Sequence, residues 1–289
     1  MSKTKLDSVK EKQEDDEDLK FKDFRDKLEF PIFKKIKFKE NDDFQCTIIY
    51  DSRKYDFHLK EGFGFSCFIK FKDMKILFDT GGNQKDFFYN IDKLNISLDS
   101  ITHVVFSHQH WDHTAGFEQV LKKVSSTTKI YLPYKFNSSL SKKIPSFLEE
   151  INIVKDFEQI DKDCYSAVLK GSSMVLTECC SVYEQFLIFN GSKGLVIFTG
   201  CGHPGVERIL RYVKKEISEP VDLLIGGFHL HHSFGSTIDK IAKEVKSLGV
   251  KRIAPCHCTG EKAIATFQEM YQEDCYVLGV GSTLDINND

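Results

Sequence analysis

Ser107-His108-Gln109-His110-Trp111-Asp112-His113-Thr114-Ala115-Gly116 places three histidines and one aspartate within six consecutive residues. The run of β-formers Thr102-His103-Val104-Val105-Phe106 precedes it, and a helical pattern over 116–123 follows. On an extended segment, residues two apart point to the same side, so the imidazoles of His108 and His110 share a face. Asp112 and His113 follow as the backbone turns toward the helix. Such a turn can aim His108 and His110 at one metal and Asp112 and His113 at a second. Neutral imidazoles with a carboxylate suit zinc, iron or manganese. The bland alternative, a polar loop rich in histidine by chance, leaves four ligand-type residues at a strand end without a use.

Outward from this stretch, strands alternate with helices. Strands are expected at 45–50, 102–106, 129–132, 223–225 and 252–254. Segments 66–71 and 75–78 read as a hairpin through Lys72-Asp73, and 186–189 with 195–199 as another through Asn190-Gly191-Ser192-Lys193-Gly194. Helices are expected at 116–123, 206–215, 237–248 and 261–269, and the alternation predicts a layered α/β protein. Segments 83–95 and 134–157 carry no readable motif and are taken as loops walling a pocket. Further polar clusters close the expected strands. Asp79 ends Ile76-Leu77-Phe78-Asp79-Thr80-Gly81-Gly82, and Cys201 and His203 lie in Thr199-Gly200-Cys201-Gly202-His203-Pro204-Gly205. His229 lies in Gly226-Gly227-Phe228-His229-Leu230, and His257 in Pro255-Cys256-His257-Cys258-Thr259-Gly260.

Together these segments resemble the metallo-β-lactamase superfamily. The resemblance rests on His-x-His-x-Asp-His at 108–113, on Asp-Thr-Gly at 79–81 and on the three downstream clusters in the same order. Within that superfamily the chain is similar to the subgroup named for an archaeal dihydropterin-forming synthase that makes a ribofuranosyl-aminobenzene phosphate. The resemblance runs over about residues 60–282. It implies an αβ/βα sandwich, two mixed sheets face to face with helices outside and a dinuclear site at one edge. It also implies that Asp79 supports the metal-binding loop from beneath.

Three departures matter. The superfamily's lone histidine some tens of residues past the first motif is missing, since no histidine lies between His113 and His203. Its bridging aspartate is replaced by Cys201. Glu61-Gly62-Phe63-Gly64 stands where subgroup members tend to have Glu-His-Gly, so the synthase activity is not carried over. The expected ligands are then His108, His110 and His203 for one metal, and Asp112, His113 and His257 for the other. Cys201 reads equally as a further ligand or as a small buried residue, and His229 as a substrate-facing catalytic group or a structural one. Cys256 and Cys258 flank His257 and, on an extended segment, face away from it as core thiols. His231 and His232 read as a solvated loop, and His103 as a satisfied core residue. Glu178 and Glu184 are candidates for the pocket mouth, and Cys179-Cys180 reads as packed thiols.

The expected function is a metal-dependent hydrolase in which a metal-bound hydroxide attacks a small ester, lactone, thioester or phosphoester, with Asp112 and His229 as catalytic groups. Two divalent ions are expected, zinc first, with manganese, iron or magnesium as alternatives. The competing readings are a pterin-forming transferase that releases pyrophosphate, a redox di-iron protein, and a non-catalytic zinc module built on Cys201, His203, Cys256 and Cys258.

Composition sets the outer limits. The 289 residues carry a formal charge of −3, are 41% apolar and include 25 phenylalanines, so a large core is available. Collagen-like, coiled-coil and globally disordered classes are excluded. The slightly acidic balance gives no electrostatic case for nucleic acid. No apolar run reaches the roughly 18 residues that span a bilayer. Met1 to Lys22 lacks a secretory h-region, and nine scattered cysteines read as reduced thiols, so a cytoplasmic small-molecule enzyme is expected. Residues 1–28 are mostly charged and read as a solvated extension, Pro31 ends any helix there, and 30–289 reads as one domain.

Overall fold

The computed structural model describes residues 44–175 and 178–286. The charged extension 1–28, Pro31, and the side chains of Glu178, Cys179 and Cys180 lie outside the described residues. Strands follow one another as β1 (Phe44–Tyr50), β2 (Ser66–Phe71), β3 (Met74–Phe78), β4 (His103–Val105), β5 (Lys129–Pro133) and β6 (Glu150–Val154). Then come β7 (Phe157–Asp161), β8 (Cys164–Val175), β9 (Glu178–Gly191), β10 (Gly194–Thr199), β11 (Val221–Gly227), β12 (Arg252–Cys256) and β13 (Thr283–Asp285). The first sheet has the order β13-β1-β2-β3-β4-β5-β6 and the second β12-β11-β10-β9-β8-β7. Both are mixed. β3 to β6 run parallel, as do β10 to β12, and the hairpins β1-β2-β3 and β7-β8-β9-β10 are antiparallel.

Three apolar layers follow from the strand alternation. Phe44, Ile69, Phe78, Leu187, Phe189, Phe198 and Ile225 pack between the two sheets. On the outer face of the second sheet, Ile197, Leu224 and Ile253 bury the apolar stripes of helices lying over it. On the outer face of the first sheet, Leu77, Val104 and Ile130 pack against Phe87, Ile91, Phe117 and Val120. Helices are therefore outside both sheets, the αβ/βα sandwich expected from sequence.

The helices are α1 (Gln84–Lys93), α2 (Trp111–Thr114), α3 (Phe117–Leu121), α4 (Ser138–Ser141), α5 (Val206–Glu216), α6 (Gly235–Ser247) and α7 (Glu261–Tyr271). Two expected loops are corrected. Segment 83–95 forms α1, whose Asn83 side chain caps the N–H of Asp86 and whose Phe87 and Ile91 are buried. Segment 134–157 contains α4 and β6, with β7 beginning at its end. β6 escapes the period-2 reading because Ile151 and Ile153, on the same face, are exposed rather than buried. Among the described residues no helix is long and apolar enough to cross a membrane.

Parallel strands put their carboxyl ends at one edge of the sandwich. Asp79 follows β3, the segment 107–113 follows β4, Cys201 and His203 follow β10, His229 follows β11, and His257 follows β12.

Candidate metal centre

The three imidazoles His108, His110 and His203 converge on one point. His108 Nε2 lies 3.0 Å from His110 Nδ1, and His203 Nε2 lies 3.3 Å from His108 Nε2 and 3.2 Å from His110 Nδ1. Burial pulls all three below the usual imidazole range, His203 to about 3, so they are neutral near pH 7. Three neutral imidazoles cannot satisfy one another around a triangle, since each meeting nitrogen is either a donor or a lone pair. An ion about 2.0–2.1 Å from each nitrogen with tetrahedral angles needs edges of about 3.3–3.4 Å, close to those observed.

A second set forms around Asp112. His257 Nε2 lies 3.3 Å and His113 Nε2 3.6 Å from Asp112 Oδ2. Both nitrogens are buried without a well-formed hydrogen bond. Burial opposes ionisation of Asp112, but His113 and His257 outweigh it and hold its carboxyl below the usual range. Burial pulls His257 down, yet Cys258 and Asp112 push it up to about 10; Asp112 and Asp79 likewise raise His113. This electron-rich set holds protons where a divalent cation fits, so the donors suit a metal in both chemistry and spacing.

Asp79 fixes the orientation of the histidine-bearing loop. It is fully buried, and its carboxylate accepts from Ser107 N at 2.7 Å, Ser107 Oγ at 2.6 Å and His113 Nδ1 at 2.7 Å. With Nδ1 engaged, His113 presents Nε2 to Asp112. The backbone at Asp79, His229 and His257 is left-handed, with φ of 57°, 54° and 48°, a conformation non-glycine residues keep only where their surroundings enforce it.

Glu184, on β9, is buried and holds the turn after β10 rather than standing at a pocket mouth. Its Oε1 accepts from Cys201 N at 2.8 Å and Gly202 N at 2.7 Å, and its Oε2 from His203 N at 2.8 Å. Burial raises its pKa and these three N–H groups oppose the rise. Gly202 has φ 75°, and a Cβ at Gly200 would lie 2.1 Å from Ser107 Oγ, so the turn needs both glycines. The side-chain amide of the neighbouring Gln185 donates to the carbonyls of Phe106 and Tyr131, and its backbone N–H donates to Ser107 O, joining β9 to the histidine-bearing loop of the opposite sheet. Asp51, at the end of β1, accepts His257 N at 2.8 Å, and burial raises its pKa to about 6. Sequence reading missed Glu184, Gln185 and Asp51 as supports, because each acts across a sheet from a distant part of the chain.

Cys201 and Cys258 need separate treatment. The Cys201 sulfur groups with His108 and His113 within 4.8 Å, and also with His257 and Cys258, so it lies between the two triads. Its neighbour is a correction. Cys258 does not face away from the cluster. Its sulfur lies 3.0 Å from that of Cys201, because residues His257–Thr259 form a 3-10 turn instead of continuing the strand. Cys256, still on β12, does point into the core between the sheets, so Cys201, His203, Cys256 and Cys258 do not form one closed site. Burial opposes a thiolate at Cys258, but Cys201, His257 and His229 outweigh it and lower its pKa, while burial raises that of Cys201.

His229 is exposed at the rim, with its ring 4.3 Å from that of His203 and Nδ1 3.4 Å from Cys201 Sγ. Phe63 and Trp111, 52% and 64% exposed, stand 6.1 Å apart, with Phe63 5.0 Å from the His257 ring. His231 and His232 are exposed, as expected; His103 is buried with Nδ1 2.8 Å from Thr102 Oγ1, but its Nε2 has no hydrogen-bond partner among the described residues, so it is only half satisfied.

Residues 59–168 match the family model of the metallo-beta-lactamase superfamily. The chain is 29% identical over 252 residues to the 7,8-dihydropterin-6-methyl-4-(β-D-ribofuranosyl)-aminobenzene-5′-phosphate synthase of Methanocaldococcus jannaschii, covering 73% of this chain and 84% of that protein. A solved metal-dependent hydrolase of the β-lactamase superfamily superposes with a TM-score of 0.70 at 24% identity, over 84% of this chain and 99% of the other. The short form of human tRNase Z superposes with a TM-score of 0.55 at 12% identity over the same shares. The two structural likenesses are likenesses of fold.

Proposed function

From the premise that this chain carries a metallo-β-lactamase-superfamily domain and has that fold, we propose that it is a metal-dependent hydrolase of a small ester, lactone, thioester or phosphoester. The reading is carried by the meeting of His108–His110–His203 and Asp112–His113–His257 at one strand edge with Cys201 between them. Two divalent ions, zinc first, would be held by these residues. When bound, they polarise a carbonyl or phosphoryl oxygen and bring the pKa of water toward neutrality.

The chain supplies the rest. Asp112 stays ionised, so its carboxylate would help hold a metal and can accept a proton from the attacking water. Asp79 keeps the His113 tautomer fixed, and Glu184 keeps His203 facing His108 and His110. His229 at the rim is placed to hydrogen-bond the substrate, and Phe63 and Trp111 form an apolar mouth.

A second reading is favoured by the synthase relative and by that exposed aromatic pair. In it a flat pterin diphosphate lies against Phe63 and Trp111, pyrophosphate leaves, and an aminobenzene compound replaces water as nucleophile. One experiment separates the two. The purified protein is assayed on model esters, lactones, thioesters and phosphodiesters, and on a hydroxymethyl-pterin diphosphate with and without the aminobenzene nucleophile. Turnover of the first panel that chelator abolishes and zinc restores supports hydrolysis. Pyrophosphate release that requires the amine supports transfer. A metal-loaded protein inert in every arm contradicts both.

A further inference from the structure

A cavity of about 300 Å³ opens beside the ligand cluster, with Gln109, Lys135, Phe136, Lys170, Ser181 and Tyr183 in its walls. Two of these walls continue into the metal-facing segments. Gln109 stands between His108 and His110 in the chain. Lys170 precedes Gly171, where an added Cβ would lie only 2.4 Å from the carbonyl carbon of His203.

The chemistry of the walls is one-sided. Ammonium groups come from Lys135 and Lys170, an amide from Gln109, and hydroxyls from Ser181 and Tyr183; among the described residues no lining side chain is a carboxylate. Neither lysine is ion-paired among the described residues. The Lys135 ammonium lies instead over the rings of Tyr134 and Tyr183, 5.4 and 5.3 Å from their centroids, and these rings meet edge to face at 5.1 Å. Two cations without a counter-charge in one concave site attract an anion, and the rings of Tyr183 and Phe136 offer flat apolar surface beside them.

We propose that this cavity holds an oxyanion group of the substrate, a phosphate or a carboxylate carried on a flat ring. The placement of the reacting bond at the two triads rests on the hydrolase reading above; the binding of the anion does not. Lys135 and Lys170 take the oxyanion, Gln109 and Ser181 donate to its remaining oxygens, and Phe136 and Tyr183 pack on the ring. The substrate class is therefore a small aromatic phosphate or carboxylate.

The test is calorimetric titration of phenyl phosphate, benzoate and phenol into the full chain, as purified and after stripping with chelator. Both anions are expected to bind in both forms, and phenol at least tenfold more weakly. Lys135→Met and Lys170→Met should each weaken anion binding roughly tenfold without changing metal content, and Lys170→Arg should retain it. Preference for phenyl phosphate over benzoate, or the reverse, identifies the group. Anion binding that vanishes with the metals and ignores both lysines would place the anion at the metal centre and overturn the proposal. Absence of binding in both forms would overturn it as well. Lysine-dependent binding in a protein inert toward every ester would leave the subsite standing and remove the hydrolase reading.

Discussion

Oε2 of Glu184 accepts the backbone N–H of His203 at 2.8 Å, and the other oxygen of the same carboxylate takes the two preceding N–H groups. One buried side chain therefore sets the turn that carries both Cys201 and His203. In Glu184→Gln, one oxygen becomes an amide nitrogen facing backbone donors. A loss of about 1–3 kcal/mol in stability is expected from the unsatisfied donors. Metal affinity should fall about 10–100-fold, as when partners behind a ligand are removed. Denaturant unfolding and metal titration of the variant check both; unchanged affinity would uncouple the turn from the site.

Asp79 and Asp112 are both carboxylates in the centre, but they do different work. Asp79 touches Ser107 and His113 Nδ1, whereas Asp112 faces the Nε2 atoms of His113 and His257. Asp112→Asn should abolish most turnover and empty the second site with folding kept. Asp79→Asn should weaken metal affinity about 10–100-fold. Elemental analysis and turnover of the two variants rank them; a greater metal loss in Asp79→Asn would reverse the two roles.

The site was legible where ligand-type residues share a strand end. His108, His110, Asp112 and His113 are contiguous, and His203 was singled out because no histidine lies between it and His113. Cys258 was misread because strand alternation was extended past Cys256 into what is a 3-10 turn. Glu184 and Asp51 were illegible as supports, since their partners lie 17–19 and 206 residues away and no local pattern marks such a pairing. In the fold, β1 to β5, β10 to β12 and the last part of β9 announce themselves by β-formers and turns, whereas β8, β13 and the start of β9 were not expected. β6 and β7 were not expected either, because exposed apolar residues and charges blur their period, and α1 hides in a segment without an obvious apolar stripe.

Stripped of metal, the chain should lose stability as the pH falls from 7 to 5. Burial depresses His203 to about 3 and His103 to about 4, and lowers His108 in the same sense. Between those values and the unfolded value near 6.5, the unfolded chain binds protons that the native chain refuses, so acid favours unfolding. His203 and His103 each contribute on the order of 1–2 kcal/mol by pH 5, and His108 acts in the same sense. Asp51, raised to about 6, and Glu184, also raised, act in the opposite direction, as do the raised His257, His113 and His229, these histidines only until the unfolded imidazole is itself protonated near 6.5. Chelator-treated protein melted at pH 7 and pH 5 should show a lower melting temperature at pH 5; a higher one would contradict the buried neutral histidines.

His203 and Cys201 should differ in what their loss does. His203→Ala removes one corner of the 3.0–3.3 Å nitrogen triangle and should empty or weaken the first site. Cys201→Ser keeps the turn, and water can replace the sulfur, so the metal loss should be smaller. Metal content of the two variants, with circular dichroism to confirm folding, decides between them; full loading in His203→Ala would mean that another residue completes the triad.

The paired-triad centre is tested most directly by the metal content of the wild-type chain purified without chelator. Elemental analysis is expected to approach two equivalents of divalent metal per chain. One equivalent would leave only one triad as a metal site, and a firm zero in folded protein that also takes up no added zinc would contradict the account.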